Sequence, residues 1–357
     1  MFSNIYKNKN VLVTGHTGFK GSWLSLWLES LGARVMGLAL APESSPSHWD
    51  LLSLQIKSLH LDIRDADGLK RVVDNENPEI VFHLAAQPLV RRSYRTPLET
   101  WSTNVLGTAN ILEACRHNPS VRAIVVVTTD KCYENREWVW GYRETDRLGG
   151  HDPYSASKAG VELVASSFRN SFFSDGDSAL LATARAGNVI GGGDFSEDRL
   201  IPDVVRAAQS CESLEVRSPN ATRPWQHVLD CLSGYLLLGE KLLGRDATFA
   251  SAWNFGPDEA GDKRVQEVLE KFQAQMSNIN WFSSDVEQVH EANFLHLDSS
   301  KARQILLWQP VWEFEEAVRK TAEWYREWLS NRNVISMRQL DDFTNTAKEK
   351  KITWMDL

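Results

Sequence analysis

Tyr154 and Lys158 are spaced so that they could act together in proton transfer. They are the first and last residues of the segment Tyr154-Ser-Ala-Ser-Lys158, so on a helix both side chains lie on one face, one turn apart. A lysine ammonium beside a phenol stabilises the phenolate, which lowers the tyrosine pKa from about 10 towards the range of a general base. Such a pair also occurs on solvated helix faces, so other groups must support the interpretation.

Thr129 and the two residues after it offer such groups. Thr129 follows the apolar run 123–127 and precedes Tyr154 by about 25 residues. A hydroxyl at the end of a strand could hydrogen-bond a reacting oxygen opposite the tyrosine. Asp130 and Lys131 come next, and a carboxyl group beside an amine could act as an acid and a base. The alternative is that these two residues form an ion pair at a strand end.

Three glycines at positions 15, 18 and 21 lie between the apolar run 11–13 and an amphipathic stretch. The spacing G-x-x-G-x-x-G suits a tight strand-to-helix turn whose backbone approaches a pyrophosphate, because a helix N-terminus favours an anion. An ordinary glycine-rich turn would have the same spacing. The glycines therefore predict a dinucleotide site only together with the other signals.

The elements that would position these residues alternate between short β-branched runs and longer amphipathic stretches. This alternation predicts an α/β fold, a doubly wound parallel sheet of the Rossmann type, with ligands beyond the carboxyl ends of its strands. Strands are expected at 10–14, 34–40, 56–62, 80–84, 123–128 and 179–184. Helices are expected at 20–31, 66–76, 100–116 and 153–173.

The regular alternation fades after about residue 185, where glycines and prolines divide the chain into shorter pieces. We expect a cofactor-binding domain at 1–185, with returning segments near 223–260. A smaller mixed α/β domain at 186–340 would bind the substrate. Residues 341–357 are polar and charged, so we expect a solvated or loosely docked tail.

Composition excludes several classes of function. The 357 residues carry a formal net charge of -8, which argues against nucleic acid as the main partner. No stretch approaches the roughly 18 apolar residues of a membrane span. The four cysteines form no C-x-x-C pair, so metal and redox-pair sites are not expected. Reduced thiols and the absence of a signal segment favour a cytoplasmic protein.

The glycine turn, Thr129, Tyr154 and Lys158 together resemble the extended short-chain dehydrogenase/reductase family. Further matches are Asp62-Ile63, the segment His83-Leu-Ala-Ala-Gln87 and Asn104. The resemblance implies bound NAD, although no carboxylate follows the second strand before Glu43 to hold the adenosine ribose. The cofactor-binding residues that it implies are Gly15, His16, Thr17, Gly18, Phe19, Lys20, Gly21, Asp62, Ile63, Leu84, Ala85, Ala86, Asn104, Thr128, Tyr154 and Lys158.

The segment Thr129-Asp130-Lys131-Cys132-Tyr133 resembles the T-D-E-x-Y of sugar-nucleotide 4,6-dehydratases, with Lys in place of Glu as in the CDP-glucose 4,6-dehydratases. Such enzymes oxidise carbon 4, eliminate water across carbons 5 and 6, and return hydride to carbon 6. Asp130 would be the acid for the departing hydroxyl and Lys131 the base. Alternatively, Lys131 stabilises the enolate and Asp130 serves both proton transfers.

The resemblance also implies a substrate side for CDP-glucose. Its candidate residues are Gln87, Thr129, Asn188, Leu200, Arg223 and His227, with Arg223 as the diphosphate ligand and a packed ring as the alternative for His227. Relatives pair through the helices that start here near Thr100 and Pro153, which implies a homodimer or a higher homo-oligomer. The competing interpretations are a 4-epimerase or another nucleotide-sugar dehydratase of this family, and a non-catalytic NAD-binding regulator.

Overall fold

A seven-stranded parallel sheet forms the centre of the computed structural model, which describes residues 1–257, 261–276, 279–283 and 294–355. The residues outside these ranges belong to the predicted domain at 186–340 and to the last two positions of the predicted tail at 341–357. The order of the strands is β10-β6-β5-β4-β1-β2-β3, and each neighbouring pair is parallel. The strands are β1 Asn10–Thr14, β2 Arg34–Ala39, β3 Lys57–His60, β4 Ile80–His83, β5 Ala123–Val127, β6 Leu180–Ala186 and β10 Ala252–Phe255.

The central strands form because they are apolar on both faces, as a sheet covered by helices on both sides requires. Val11 and Val13 pack into one core, whereas Leu12 between them packs into the core on the other face. The predicted Rossmann-type fold is confirmed. Helices in the first half are α1 Phe19–Ser30, α2 His48–Leu52, α3 Ala66–Glu76, α4 Val90–Arg95, α5 Pro97–Trp101, α6 Gly107–Arg116 and α7 Pro153–Phe172. The residues Ser102–Leu106 form a π-helical turn between α5 and α6.

The second half adds two small sheets beyond the carboxyl ends of the large one. One sheet has the order β11-β9-β7, and the other pairs β12 with β8. Their strands are β7 Asn188–Ile190, β8 Ser213–Val216, β9 Thr222–His227, β11 Asp262–Arg264 and β12 Asn280–Ser283. The remaining helices are α8 Leu200–Ser210, α9 Val228–Leu243, α10 Val265–Gln275, α11 Ser300–Gln304, α12 Phe314–Asn331 and α13 Ser336–Glu349.

The chain returns to the large sheet after its first excursion into the smaller sheets. Strand β10 pairs with β6 from Ala252↔Thr183 to Phe255↔Ala186, which makes β10 the outer strand of the large sheet. Helix α9, just before it, has leucines buried on all sides, and they join the main core.

The prediction of a solvated or loosely docked tail at 341–357 is wrong for the residues that the structure describes there. Helix α13 buries Leu340, Phe343 and Ala347 at helical spacing, and Trp354 beyond it is also buried. The Trp354 ring stacks on Phe2 with 4.9 Å between the ring centroids and 8° between the planes. The polar composition of 341–357 concealed this packing because the buried apolar residues of α13 are few and lie on one face of the helix.

Candidate active site

A cleft of about 790 Å³ lies where the large sheet meets the smaller ones. Its walls include the ends of β5 and β6, the start of α7, and β7, α8, β8 and β9. The predicted site residues that line it are Lys20, Thr128, Thr129, Lys131, Tyr154, Asn188, Leu200 and Arg223. The cleft thus lies outside the carboxyl ends of the strands, where ligands of such sheets bind.

The glycine turn has no room for side chains at two of its three glycines. Gly15 has φ +76°, and a Cβ there would come within 2.7 Å of the Ala85 nitrogen. A Cβ on Gly21 would lie 2.1 Å from the Gly15 carbonyl oxygen. Gly18 caps the N-terminus of α1, so backbone N–H groups and the positive end of the helix face outward together. This cradle fits the pyrophosphate of a dinucleotide.

The side chain of His16 faces away from that cradle. Its ring is fully buried, and Nε2 lies 2.8 Å from the Ser58 hydroxyl. Thr17 donates a hydrogen bond from Oγ1 to the Leu40 carbonyl at 3.0 Å. Only the backbone of His16 can therefore serve a cofactor.

A ribose-binding carboxylate after β2 is still missing in the structure. Glu43 has an exposed side chain that pairs with Arg92, with 2.7 Å between Oε1 and Nη1. Asp62 pairs with Arg64 at 2.6 Å, and Ile63 packs where a Cβ on Gly107 would be. The two carboxylates therefore already have partners.

Asn104 holds the loop after β4 against α7. Its Oδ1 accepts a hydrogen bond from the Gln87 nitrogen at 2.8 Å, and its Nδ2 donates to the Gln87 carbonyl and to the Ser157 hydroxyl at 3.1 and 2.8 Å. At the start of the same loop, the nitrogens of Leu84 and Ala85 donate to the Thr14 hydroxyl at 3.2 Å. Asn104 thus fixes the loop that carries Leu84, Ala85 and Ala86.

Gln87 is not part of the described lining of the cleft. Its side chain donates to the Leu89 carbonyl and the Thr100 hydroxyl, and its Oε1 accepts from the Leu89 nitrogen at 2.6 Å. All of these bonds lie within the protein, so the prediction that Gln87 contacts the sugar is not supported.

His227 is a packed histidine rather than a substrate ligand. Its ring is fully buried against Trp312, with 4.7 Å between the ring centroids, and Nδ1 accepts from the Leu229 nitrogen at 3.2 Å to cap α9. The motif match around Arg223 placed His227 on the same strand, but its side chain turns into the core. The predicted substrate contact of His227 is therefore corrected.

Tyr154 stands in the first turn of α7, which Asp152 caps by accepting a hydrogen bond from the Ser155 nitrogen at 2.9 Å. Burial raises the pKa of Tyr154 to about 12, and the Thr129 hydroxyl and the charge of Arg199 only partly oppose this. Burial, and secondly the charge of Lys20, lower the pKa of Lys158 to about 8. Lys158 donates from Nζ to the Val127 carbonyl at 3.2 Å, directly beneath the end of β5.

Thr129, Asp130 and Lys131 form a tight turn at the end of β5. The Thr129 hydroxyl donates to Asp130 Oδ1 at 3.0 Å and accepts from the Lys131 nitrogen at 3.3 Å. Asp130 is fully buried behind the lining of the cleft, and its Oδ2 has no hydrogen-bond partner among the described residues. That oxygen faces Gly187, where a Cβ would lie 3.2 Å from it.

Lys131 bridges this turn and β7. Its Nζ lies 3.7 Å from Asp130 Oδ1 and 3.5 Å from the Asn188 side-chain oxygen. The ion pair that is the alternative prediction for Asp130 and Lys131 is thus present, and its Lys131 member lines the cleft. A carboxyl group and an amine therefore stand beside Thr129 and Tyr154, as acid–base chemistry at one sugar ring requires.

Five arginines of the described residues line the cleft, and three of them, Arg199, Arg217 and Arg223, belong to the second half of the chain. Arg223, on β9, has a buried side chain that donates from Nη1 to the Thr222 carbonyl at 2.9 Å. Arg199 pairs with Asp194 at 3.1 Å, and Arg217 has a buried Nη1 without a hydrogen-bond partner in the described part of the chain. Sequence motifs identified only Arg223, because Arg199 and Arg217 lie in segments without a recognisable pattern.

The described residues contain no cluster of His, Cys, Asp and Glu that could hold a metal ion. None of the described helices is both long enough and apolar enough to cross a bilayer.

A glycine turn after β1, a hydroxyl after β5 and a Tyr–Lys pair on α7 define the class of short-chain dehydrogenases/reductases. The model of the GDP-mannose 4,6 dehydratase family matches residues 12–321, so the chain belongs to that family. It is 46% identical over 353 residues to the CDP-glucose 4,6-dehydratase of Salmonella typhimurium, covering 96% of this chain and 98% of that protein.

Two solved structures extend the comparison. An epimerase from Methanothermobacter thermautotrophicus superposes with a TM-score of 0.81 at 26% identity, covering 92% of this chain and 95% of the other. The dTDP-glucose 4,6-dehydratase of Streptomyces venezuelae, with NAD and TYD bound, has a TM-score of 0.75 at 26% identity, covering 90% and 98%.

Proposed function

We propose that this chain converts CDP-D-glucose into CDP-4-keto-6-deoxy-D-glucose and water. The observation that carries the proposal is the turn Thr129-Asp130-Lys131, whose Thr129 and Lys131 line the same cleft as Tyr154. A simple oxidation needs only the hydroxyl, the tyrosine and the lysine, whereas elimination of water also needs an acid and a base. The choice of CDP-glucose rests on the 46% identity to an enzyme with that name.

The cofactor in this proposal is NAD, which the related Streptomyces structure contains. The turn of Gly15, Gly18 and Gly21 would hold its pyrophosphate at the N-terminus of α1. NAD supplies the hydride acceptor for oxidation at carbon 4 and the hydride donor for reduction at carbon 6. Since both events fall within one turnover, the chain needs no second substrate for them.

Tyr154 would take the proton of the sugar 4-hydroxyl, with Thr129 hydrogen-bonded to the same oxygen. A phenol with a pKa of about 12 is almost entirely protonated at neutral pH, so Tyr154 needs a positive charge nearby to act as a base. Lys158, whose pKa is about 8, supplies that charge below this pH. The pair thus works where Lys158 is an ammonium group.

The elimination would use Asp130 and Lys131. Once carbon 4 is a ketone, the proton on carbon 5 is acidic, and Lys131 as a neutral amine would remove it and return it to carbon 5 when hydride reaches carbon 6. Asp130 would protonate the departing 6-hydroxyl from its unpartnered Oδ2. In the alternative, Lys131 stays charged and stabilises the enolate while Asp130 performs both transfers.

Arg223, Asn188 and Leu200 would bind the nucleotide side of the substrate. They line the cleft, and Arg223 presents a planar group suited to a diphosphate. Arg217, whose Nη1 has no hydrogen-bond partner in the described part of the chain, also lines the cleft. Gln87 and His227 have no place in this proposal.

We further propose that two copies of the chain pair through α5 and α7. The two helices touch where a Cβ on Gly160 would lie 3.3 Å from the Trp101 ring. Around this contact Leu98, Trp101 and Leu163 are 82%, 41% and 61% exposed. Large apolar side chains grouped in this way favour a protein partner.

The cytoplasm is the proposed compartment, because the four cysteines are unpaired in the structure.

The test is to incubate the purified protein with NAD and with CDP-glucose, dTDP-glucose or GDP-mannose in separate reactions. The 4-keto-6-deoxy product is followed by its absorbance in alkali, with Tyr154→Phe as the matched inactive control. Product from CDP-glucose alone is expected. Product from another nucleotide sugar alone would keep the mechanism and overturn the substrate, and none from any would overturn the dehydratase.

A further inference from the structure

Glu162 continues the line of catalytic side chains along α7 into the core. Tyr154, Lys158 and Glu162 lie at intervals of four residues, so they share one face of the helix. The Glu162 carboxylate is buried and accepts three hydrogen bonds. The donors are the Thr128 hydroxyl at 2.5 Å, the Thr183 hydroxyl at 2.8 Å and Arg185 Nη2 at 2.8 Å.

Arg185 extends this hydrogen-bond network to the other end of the turn 129–132, which contains Asp130 and Lys131. Its Nη1 donates to the Tyr133 hydroxyl at 2.7 Å, and its guanidinium lies over the Tyr133 ring, 4.9 Å from the centroid. The Tyr133 hydroxyl donates in turn to Asn254 Oδ1 at 2.7 Å. Thr128 and Tyr133 are the residues immediately before and after the turn 129–132. Both ends of the turn are thus bound to one buried ion pair.

Both members of this pair are held in their charged forms. Burial alone would raise the pKa of Glu162, but Arg185 and the hydroxyl donors bring it below its usual value. Burial alone would lower the pKa of Arg185, but Glu162 raises it. Ion pairs in a low-dielectric interior have narrow geometric tolerance, so they suit a role in fixing register.

We propose that the buried Glu162–Arg185 pair is a positioning device that holds Asp130 and Lys131 in register with Tyr154. The inference deepens the proposed dehydratase function and rests on it. Glu162 does not itself line the cleft, so it acts through Thr128, which does, and through Lys158. A shift of about 1 Å in the turn would separate the acid and base from the sugar, and such shifts can cost about 100-fold in rate.

The charge of Glu162 also reaches Lys158. The groups that act on Lys158 are the ammonium of Lys20 on α1, the thiol of Cys132 in the turn, and Glu162 on its own helix. His83, on β4, faces it in neutral form, because burial lowers the pKa of its ring to about 3. Glu162 raises the pKa of Lys158, so its removal would make Lys158 lose its proton at a lower pH.

The experiment compares Glu162→Gln, Thr128→Val and Thr183→Val in the full chain with NAD and CDP-glucose. Glu162→Gln is expected to lower kcat at least about tenfold with KM changed less than about twofold. The alkaline limb of its kcat profile is expected to move to lower pH. Thr128→Val is expected to lower kcat while that limb stays in place, since the Glu162 charge remains.

Thr183→Val is the matched control. Its hydroxyl also donates to Glu162, but it lies on β6, away from the turn, so a lower melting temperature with an unmoved alkaline limb is expected. The proposal would be overturned if Glu162→Gln kept the wild-type kcat and the alkaline limb of its pH profile did not move. If Glu162→Gln does not fold, wild-type kcat in a folded Thr128→Val would overturn it instead. If the wild-type protein is inactive on every nucleotide sugar, the proposed dehydratase function itself is overturned.

Discussion

Lys131 Nζ lies 3.7 Å from Asp130 Oδ1, while the second oxygen of Asp130 has no hydrogen-bond partner among the described residues. One oxygen of the same buried carboxyl group is therefore paired with a cation, and the other makes no hydrogen bond within the described part of the chain. An unpaired buried oxygen is unfavourable for folding, which is typical of a group kept for chemistry.

Asp130→Asn is expected to block the loss of water more than the oxidation. The amide cannot donate an acidic proton to the departing hydroxyl, so elimination should slow by about 100-fold or more. Rapid quench and chromatography of the nucleotide sugars would show the 4-keto sugar accumulating with its 6-hydroxyl intact. Elimination at the wild-type rate would remove the acid role from Asp130.

Lys131→Arg separates the two roles considered for Lys131. Arginine keeps the positive charge but cannot become a neutral base in the protein. We expect Lys131→Arg and Lys131→Met to be equally slow in exchange of the carbon 5 proton with deuterated solvent. If Lys131→Arg exchanges that proton at the wild-type rate, Lys131 stabilises the enolate and Asp130 is the base.

Arg223→Lys tests the diphosphate contact. Lysine lacks the planar fork, and the loss of one charge-assisted hydrogen bond costs about 1.5 kcal/mol, so KM for CDP-glucose should rise about tenfold. His227→Asn is the comparison, because the structure places this ring in the core. Steady-state kinetics should give it a wild-type KM and thermal unfolding a lower melting temperature, whereas a raised KM would return His227 to the substrate site.

The buried ring of His48 should make the free energy of unfolding fall in acid. Its buried ring lies between the hydroxyls of Ser22 and Ser336, at 2.8 Å from each, and burial lowers its pKa to about 3. The unfolded chain, with a histidine pKa of about 6.5, binds more protons between these values. The free energy of unfolding should therefore fall as the pH drops below 6.5, by about 1 kcal/mol between pH 6.5 and pH 5.5 for this one ring.

Denaturant unfolding at several pH values measures that slope. His48→Asn should be less stable at pH 7 but should depend less on pH between 6.5 and 5 than the wild type. His117→Asn is the control, because this histidine is half exposed on the surface. An unchanged slope in His48→Asn would show that other groups cause the acid sensitivity.

Local patterns predicted six of the seven strands of the large sheet, and they identified Thr129, Lys131 and Tyr154, which the structure brings to one cleft. Strand β5, which ends at Val127, and the helix that carries Tyr154 and Lys158 follow from apolar runs and helical spacing, which depend on neighbouring residues only. Gln87 and His227 were misplaced because a motif gives a position along a strand or loop, not the direction of its side chain. Arg199 and Arg217 reach the cleft through folding of distant segments, which no local pattern encodes.

The tail illustrates a different limit. Leu340, Phe343 and Ala347 have the spacing of an amphipathic helix, but the surrounding polar residues outweigh them in composition. Periodicity predicts such a helix better than average polarity does. Its docking partner could not be predicted, because Phe2 lies at the other end of the described chain.

The stacking of Phe2 on Trp354 also bears on how the protein is made. The two residues are more than 350 positions apart, so during synthesis the first helix emerges long before the segment that covers it. Until Trp354 leaves the ribosome, Phe2 and Trp27 expose an apolar surface that the finished protein hides. A nascent chain truncated before α13 should therefore be a better client for chaperones than the complete one.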